Sequence, residues 1–217
     1  MEYVLANHPL GSAGSSWALK GFARLAALAI AFLFLGCHNV PPLDTSALDN
    51  AGMSYDAVEQ LKALNVTPSE IAQVAAARNG GFSDAACVEV VTMYHGRKQG
   101  FDAGDAIAGL AKAGMSENTI LKLAQLNQLG LTAGELEAMR LAGLSDEIIL
   151  EVAQHHAANQ PVLGGVSLAT LQNAGMREST LLELVRHGVP DSQAGAILAY
   201  RRHGANDKEI LRHFAGG

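Results

Sequence analysis

One local pattern centred on glycine occurs six times along the 217-residue chain. The residue after each glycine is apolar, and the next one is Ser or Asn at every site except Arg177. An acidic residue follows directly at five of the six sites. Every second glycine lies 61 or 62 residues further on, and the six are Gly52, Gly81, Gly114, Gly143, Gly175 and Gly204. Such self-similarity at a fixed period is the signature of a repeat protein.

The pattern describes the end of one helix and the start of the next. Glycine adopts the left-handed conformation that ends a helix in a Schellman turn, and the apolar residue after it folds back onto that helix. The Ser or Asn oxygen then accepts a hydrogen bond from a free N–H of the next helix, and the acid beside it faces that helix's positive end. Related phrases begin at Asn65, Gly130 and Gly188, with Asn65 in place of glycine. We therefore expect about ten short helices joined by tight turns.

The composition agrees with small helices packed through aliphatic side chains. Hydrophobic residues make up 49% of the chain and aromatic residues only 5%. Helices of about 8 to 12 residues are marginal alone, so each must be held by the apolar faces of its neighbours. The sequence predicts an all-α fold with three repeats of about 61 residues, at 51–112, 113–173 and 174–217. Their arrangement is either an α-solenoid or a compact helical repeat bundle.

The first 36 residues have the pattern of an export signal. Lys20 and Arg24 precede an uncharged run of twelve residues, 25–36. A spanning helix needs about 20 apolar residues, so this run is too short to cross a membrane. Basic, apolar and small residues in that order are typical of a signal peptide. We expect a signal peptide at 1–36, an extended tether containing Pro41 and Pro42 at 37–50, and the helical repeat domain at 51–217.

The stretch that ends in Leu35, Gly36 and Cys37 resembles the lipobox of bacterial lipoproteins, with Phe34 where that family usually has Leu. In the family, the cysteine carries lipid and the chain is cleaved just before it. The resemblance implies that Cys37 is the acylated first residue of a protein anchored to a cell-envelope membrane. If the host is a Gram-negative bacterium, His38 in place of Asp after the cysteine resembles the family's outer-membrane sorting signal. The resemblance then implies that the protein lies on the periplasmic face of the outer membrane. A plain secretory signal with a chance cysteine is the alternative.

The segment 110–124 resembles the helix-turn-helix of bacterial regulators, which implies DNA binding. That family usually has Ala four residues before the glycine, whereas among these turns only Ala77 conforms. Its second helix should carry side chains for phosphates and bases, but segment 145–154 has three acids and no basic residue. The formal net charge of −6 also opposes binding to phosphates. We expect no nucleic-acid partner. The turns also resemble AGLS-type helical turns of uncharacterised exported bacterial proteins, which implies no activity.

No residue pattern indicates catalysis or metal binding. The chain lacks HExxH, paired CxxC, GxSxG and P-loop patterns. Cys87 occupies a position that is apolar in the related turns, which predicts a buried small hydrophobe. His155 and His156 are adjacent and point about 100° apart on a helix, so they face one metal poorly. We expect no enzyme activity, cofactor, metal site or small-molecule substrate.

Three histidines and two glycines have simple structural interpretations. His95, His187 and His203 each precede a glycine, where a helix C-terminus favours imidazolium. Gly164 and Gly165 are interpreted as a loop after Pro161.

The one concentration of positive charge lies near the C-terminus, at Arg201, Arg202 and Arg212. This cluster is a candidate surface for an anionic partner such as lipid headgroups or cell-wall polymer, with a solvated face as the alternative. By analogy with other helical repeats, we expect a lipid-anchored, non-catalytic interaction or scaffold module with an unidentified protein partner. The alternatives are an accessory or regulator of a cell-envelope enzyme and, less favoured, a nucleic-acid binder.

Overall fold

The glycine-centred turns divide the chain into short helices. The structure is a computed structural model, and it describes residues 43–129 and 133–216. These residues contain twelve α-helices and no strand, so the predicted all-α fold is confirmed, with twelve helices where about ten were expected. The helices are α1 (Ser46–Asn50), α2 (Tyr55–Ala63), α3 (Pro68–Asn79), α4 (Asp84–Gly96), α5 (Gly104–Lys112), α6 (Glu117–Gln125), α7 (Ala133–Leu141), α8 (Asp146–Ala157), α9 (Gly165–Asn173), α10 (Glu178–Arg186), α11 (Ala194–Arg202) and α12 (Asp207–Phe214). A 3₁₀ turn at Asp191–Gln193 precedes α11.

The helices form two layers. The odd-numbered helices pack on one another in order and make the first layer, and the even-numbered helices do the same in the second layer. Each odd-numbered helix and the even-numbered helix after it form a pair, so the described residues contain six pairs. Each pair contacts the pair before it and the pair after it, which is the packing pattern of helical repeat proteins such as α-solenoids.

The six recurring glycines end the helices of the first layer. Their φ angles lie between 73° and 105°, which is the left-handed region. Beside each glycine, the next N–H donates to a carbonyl five residues earlier, as Met53 does to Leu48 at 3.1 Å. The predicted helix ends are therefore confirmed. In the described part of the chain, each of the five turns back from the second layer also contains a left-handed residue, and Asn65 fills that position with a φ of 57°, as expected.

The helical array begins before the boundary that the sequence suggested. Helix α1 starts at Ser46, inside the tether predicted at 37–50. Its Leu48, four residues before Gly52, has an exposed fraction of 0% because it packs in the core that the array shares. Among the described residues, the array thus begins at Ser46, ahead of the predicted start at 51. Residues 1–42, with the predicted signal peptide and Cys37, lie outside the described residues.

Two glycines allow helices of the first layer to approach closely. A Cβ on Gly104, at the start of α5, would overlap the carbonyl group of Gln73 in α3. A Cβ on Gly165, at the start of α9, would lie 2.8 Å from the carbonyl oxygen of Glu135 in α7. The interpretation of Gly165 as part of a loop is therefore wrong, because this residue begins a helix whose backbone lies against its neighbour.

We expect Gly104→Ala to lower the free energy of unfolding by about 1–3 kcal/mol, because the added methyl group meets backbone that cannot rotate away. Gly109→Ala in the same helix is the matched control. Its Cβ would meet only Glu137 Oε2 at 3.9 Å, and alanine favours a helix interior by about 0.5–1 kcal/mol. Urea unfolding measures both changes. Equal effects of the two substitutions would contradict the close approach at Gly104.

Candidate functional site

Carboxylates connect the glycine turns of successive pairs. The acid that begins each even-numbered helix from α4 onward accepts a hydrogen bond from the backbone N–H of the N-cap residue one pair earlier. We call this series the carboxylate ladder. Its bonds join Asp84 to Ser54 at 2.9 Å, Glu117 to Ser83 at 2.7 Å, Asp146 to Ser116 at 3.4 Å, Glu178 to Ser145 at 2.6 Å and Asp207 to Arg177 at 3.3 Å. The ladder therefore fixes the register of neighbouring pairs.

The first end of the ladder explains the one turn without an acid, and the last end is closed within its own helix. Tyr55 begins α2, the first described helix of its layer, where the described residues offer no earlier turn for an acid to reach. Its side chain is exposed. At the other end, the N–H of Asn206 donates to Glu209 of its own helix at 2.9 Å. The N-cap amide of the last described turn is thus hydrogen-bonded without a carboxylate from a further pair.

Arginines reinforce every second bond of the ladder. Arg78 pairs with Asp84 at 2.7 Å, and Arg140 lies 3.6 Å from Asp146. Arg201 pairs with Asp207 at 2.9 Å and donates to the carbonyls of neighbouring turns. This member of the predicted basic cluster is therefore engaged within the fold.

The other two members of that cluster point to solvent. Arg202 ends α11 and Arg212 lies in α12, and both side chains are exposed. Within residues 43–129 and 133–216, neither guanidinium makes a hydrogen bond or an ion pair. The last pair thus presents two exposed cations, whereas Arg201 is bonded to the turn between α11 and α12.

An open groove of about 710 Å³ lies beside the turn between α4 and α5. One part of the groove is lined by the first turn of α3 and by Asn65 and Thr67, which precede that helix. His95 and the loop after α4 line the rest, and the full lining is Asn65, Thr67, Ser69, Glu70, His95, Lys98, Gln99, Gly100, Phe101 and Asp102. Polar groups therefore converge on this groove, which no sequence pattern indicates.

The Glu70 carboxylate joins three segments at this groove. Its side chain is only 5% exposed. One oxygen, Oε2, accepts from the N–H and hydroxyl of Thr67 at 2.7 and 2.9 Å. The other, Oε1, contacts His95 Nε2 at 2.7 Å and accepts from the Phe101 N–H at 2.8 Å. The start of α3, the end of α4 and the following loop are thus held by one side chain.

These bonds decide the charge of Glu70. Burial opposes ionisation, but the backbone hydrogen bonds from Thr67 and Phe101 and the contact with His95 outweigh it and lower the pKa of Glu70 to about 2. Both oxygens are occupied by groups of the chain itself. The arrangement is therefore suited to holding the loop in place. The Thr67–Glu70 capping box is readable from local spacing, whereas the His95 contact spans 25 residues and was missed.

The remaining residues singled out in the sequence lie in different places. Cys87 is fully buried, as predicted, and burial raises the pKa of its thiol to about 12. His155 and His156 lie near the end of α8, and each has one buried ring nitrogen without a hydrogen-bond partner in the described part of the chain. No group of three or more His, Cys, Asp or Glu side chains among the described residues is arranged to hold a metal ion. None of the described helices has the length and apolar character to cross a membrane.

Known proteins do not assign the chain to a family. No protein-family model matches it, and no curated protein matches its sequence.

We expect the free energy of unfolding to fall as the pH drops from about 4.5 to about 2. Glu70 takes up its proton near 4.5 in the unfolded chain but only near 2 in the folded one, so its contribution is complete above that window and is lost on acidification. Glu70→Gln should lower stability at neutral pH by about 1–3 kcal/mol and flatten this decline. Urea unfolding across the window measures both effects, with Glu59→Gln as an exposed control. Profiles that stay parallel in wild type and Glu70→Gln would contradict this assignment.

Proposed function

We propose that the chain is an exported, lipid-anchored bacterial protein whose helical array is a non-catalytic interaction module in the cell envelope. The carboxylate ladder is the observation that supports the module. The polar residues that recur with the repeat bind one another across successive turns, which makes their role structural. What the array then offers is an extended surface, as helical repeats commonly do. Support for the anchor is the sequence pattern that ends at Cys37.

The same contacts favour a structural role for the turns over a DNA-reading role. In a helix-turn-helix, the N-terminal residues of the second helix contact base edges. Here the first residue of α6, Glu117, binds the N–H and hydroxyl of Ser83 at 2.7 and 2.9 Å. The first residue of α8 is the carboxylate Asp146, whose charge is unfavourable next to phosphates.

Within this proposal, Arg202 and Arg212 on the last pair contact an anionic partner in the envelope, such as lipid headgroups or cell-wall polymer. Arginine suits phosphate and carboxylate groups because its donors form a planar fork. A protein partner of unknown identity binds elsewhere on the array. An accessory or regulatory role towards an envelope enzyme is the second candidate, and the groove beside Glu70 is the feature that favours it.

We expect Cys37→Ser to release the protein from the membrane fraction of a bacterial host. Wild-type protein should sediment with membranes and carry an acylated Cys37 as its first residue, because the lipid supplies the anchor. Cys87→Ala is the matched control and should leave anchoring unchanged, since Cys87 is buried in α4. Fractionation with mass spectrometry of the N-terminus makes the measurement. A soluble wild-type protein that retains residues 1–36 would contradict the anchor.

We expect the double variant Arg202→Glu, Arg212→Glu to lose most of its sedimentation with anionic vesicles or purified cell wall. Lys112→Glu with Lys122→Glu is the matched control, because it makes the same charge change at exposed positions of α5 and α6. Only a loss specific to the arginine variant supports the basic end as the contact. Unchanged binding, or an equal loss in the control, removes it.

A further inference from the structure

The turn between α4 and α5 carries an unusual left-handed residue. Among the described residues, five turns lead from the second layer back to the first, and four of them place Asn or Gly in the left-handed region. In the fifth turn the residue is Lys98, with a φ of 59°. Side chains with a Cβ disfavour this conformation, and lysine lacks the short polar group through which asparagine compensates locally. Lys98 is therefore poorly suited to its backbone position.

A second departure appears when this loop is compared with its counterpart 61 residues later. Lys98 corresponds to Asn159, which is also left-handed, and Phe101 corresponds to Val162, which is also buried. Asp102 corresponds to Leu163, which has an exposed fraction of 0%, whereas Asp102 is exposed. The loop after α4 thus carries two charged side chains where the related loop carries an amide and a core leucine.

Both charged side chains line the groove beside Glu70. Within the part of the chain that the structure describes, neither Lys98 nor Asp102 makes a hydrogen bond or ion pair through its side chain. The hydroxyls of Thr67 and Ser69 and the amide of Gln99 add polar groups to the lining. The groove's volume of about 710 Å³ is in the range of small-ligand sites. An unpaired cation and an unpaired anion in one groove complement a ligand that carries both charges.

We infer that this groove binds a zwitterionic ligand of the size of a short peptide. Lys98 binds the ligand's carboxylate, and Asp102 binds its ammonium group. Glu70 is a positioning residue, because its oxygens hold His95 and the Phe101 N–H and so fix the loop that carries both charges. This role gives a reason for a lysine at a left-handed position, since residues in disfavoured backbone conformations cluster at functional sites. The inference is independent of the lipid anchor.

Calorimetric titration of the full chain with alanine peptides of one to four residues tests the inference. At least one length should bind, because the ammonium and carboxylate of the peptide move apart by about 3.3–3.6 Å with each residue and one spacing fits the groove. N-acetylation or C-terminal amidation of the best peptide should weaken binding by about tenfold or more, because each change removes one charge-assisted contact.

Lys98→Asn separates a binding role from a structural one. This variant installs the residue of the related turns, so its midpoint of thermal unfolding should rise by about 2–4 °C while peptide affinity falls by about tenfold or more. Asp102→Asn should lose affinity for the free peptide but not for its acetylated form. Asn159→Lys is the matched control. It places lysine in the related left-handed position and should lower the unfolding midpoint without changing peptide affinity.

Three results would overturn the inference. The first is that no free peptide binds the wild-type chain. The second is that Lys98→Asn becomes more stable but binds as well as wild type. The third is that blocked and free peptides bind equally.

Discussion

The hydrogen bond from the N-cap amide of one glycine turn to a carboxylate of the next pair is the interaction on which the array depends. The helices contain only 5 to 13 residues, so none is stable alone. A left-handed residue follows each of the first eleven described helices, but these short helices still need neighbours in a defined register. The ladder supplies that register, because each bond joins the N-cap amide of one pair to the carboxylate at the same position of the next pair, about 30 residues later.

Local features of the fold could be predicted from the sequence, and contacts between turns could not. The glycine ends and the caps at Ser54 and Asn206 follow from neighbouring residues, and the structure contains them. Ser145 has the same local pattern, but its side chain makes no cap bond, and its N–H is bound by Glu178 instead. The sequence predicts that the acids face the positive ends of their own helices. The structure confirms those positions, but the hydrogen bonds that the acids accept come from turns about 30 residues earlier, which neighbouring residues do not reveal.

The same distinction governs the candidate sites. Arg201 and Arg202 are adjacent and equally basic, yet one is engaged with Asp207 and carbonyl groups, and the other is exposed. Composition cannot separate them, because the difference follows from which side of α11 faces the neighbouring turn. The groove was missed for a related reason. It combines the start of α3 with the loop after α4, and the contact between Glu70 and His95 spans 25 residues.

Native-state hydrogen exchange tests the central claim most directly. The amides of Ser54, Ser83, Ser116, Ser145 and Arg177 should exchange more slowly than the amides that follow them, because only the former are bound by ladder carboxylates. Glu117→Ala should accelerate exchange at Ser83 by about tenfold and leave the ladder amides of the other turns unchanged. If those five amides exchange as fast as their neighbours, or if Ser83 does not respond, the ladder does not hold the pairs in register.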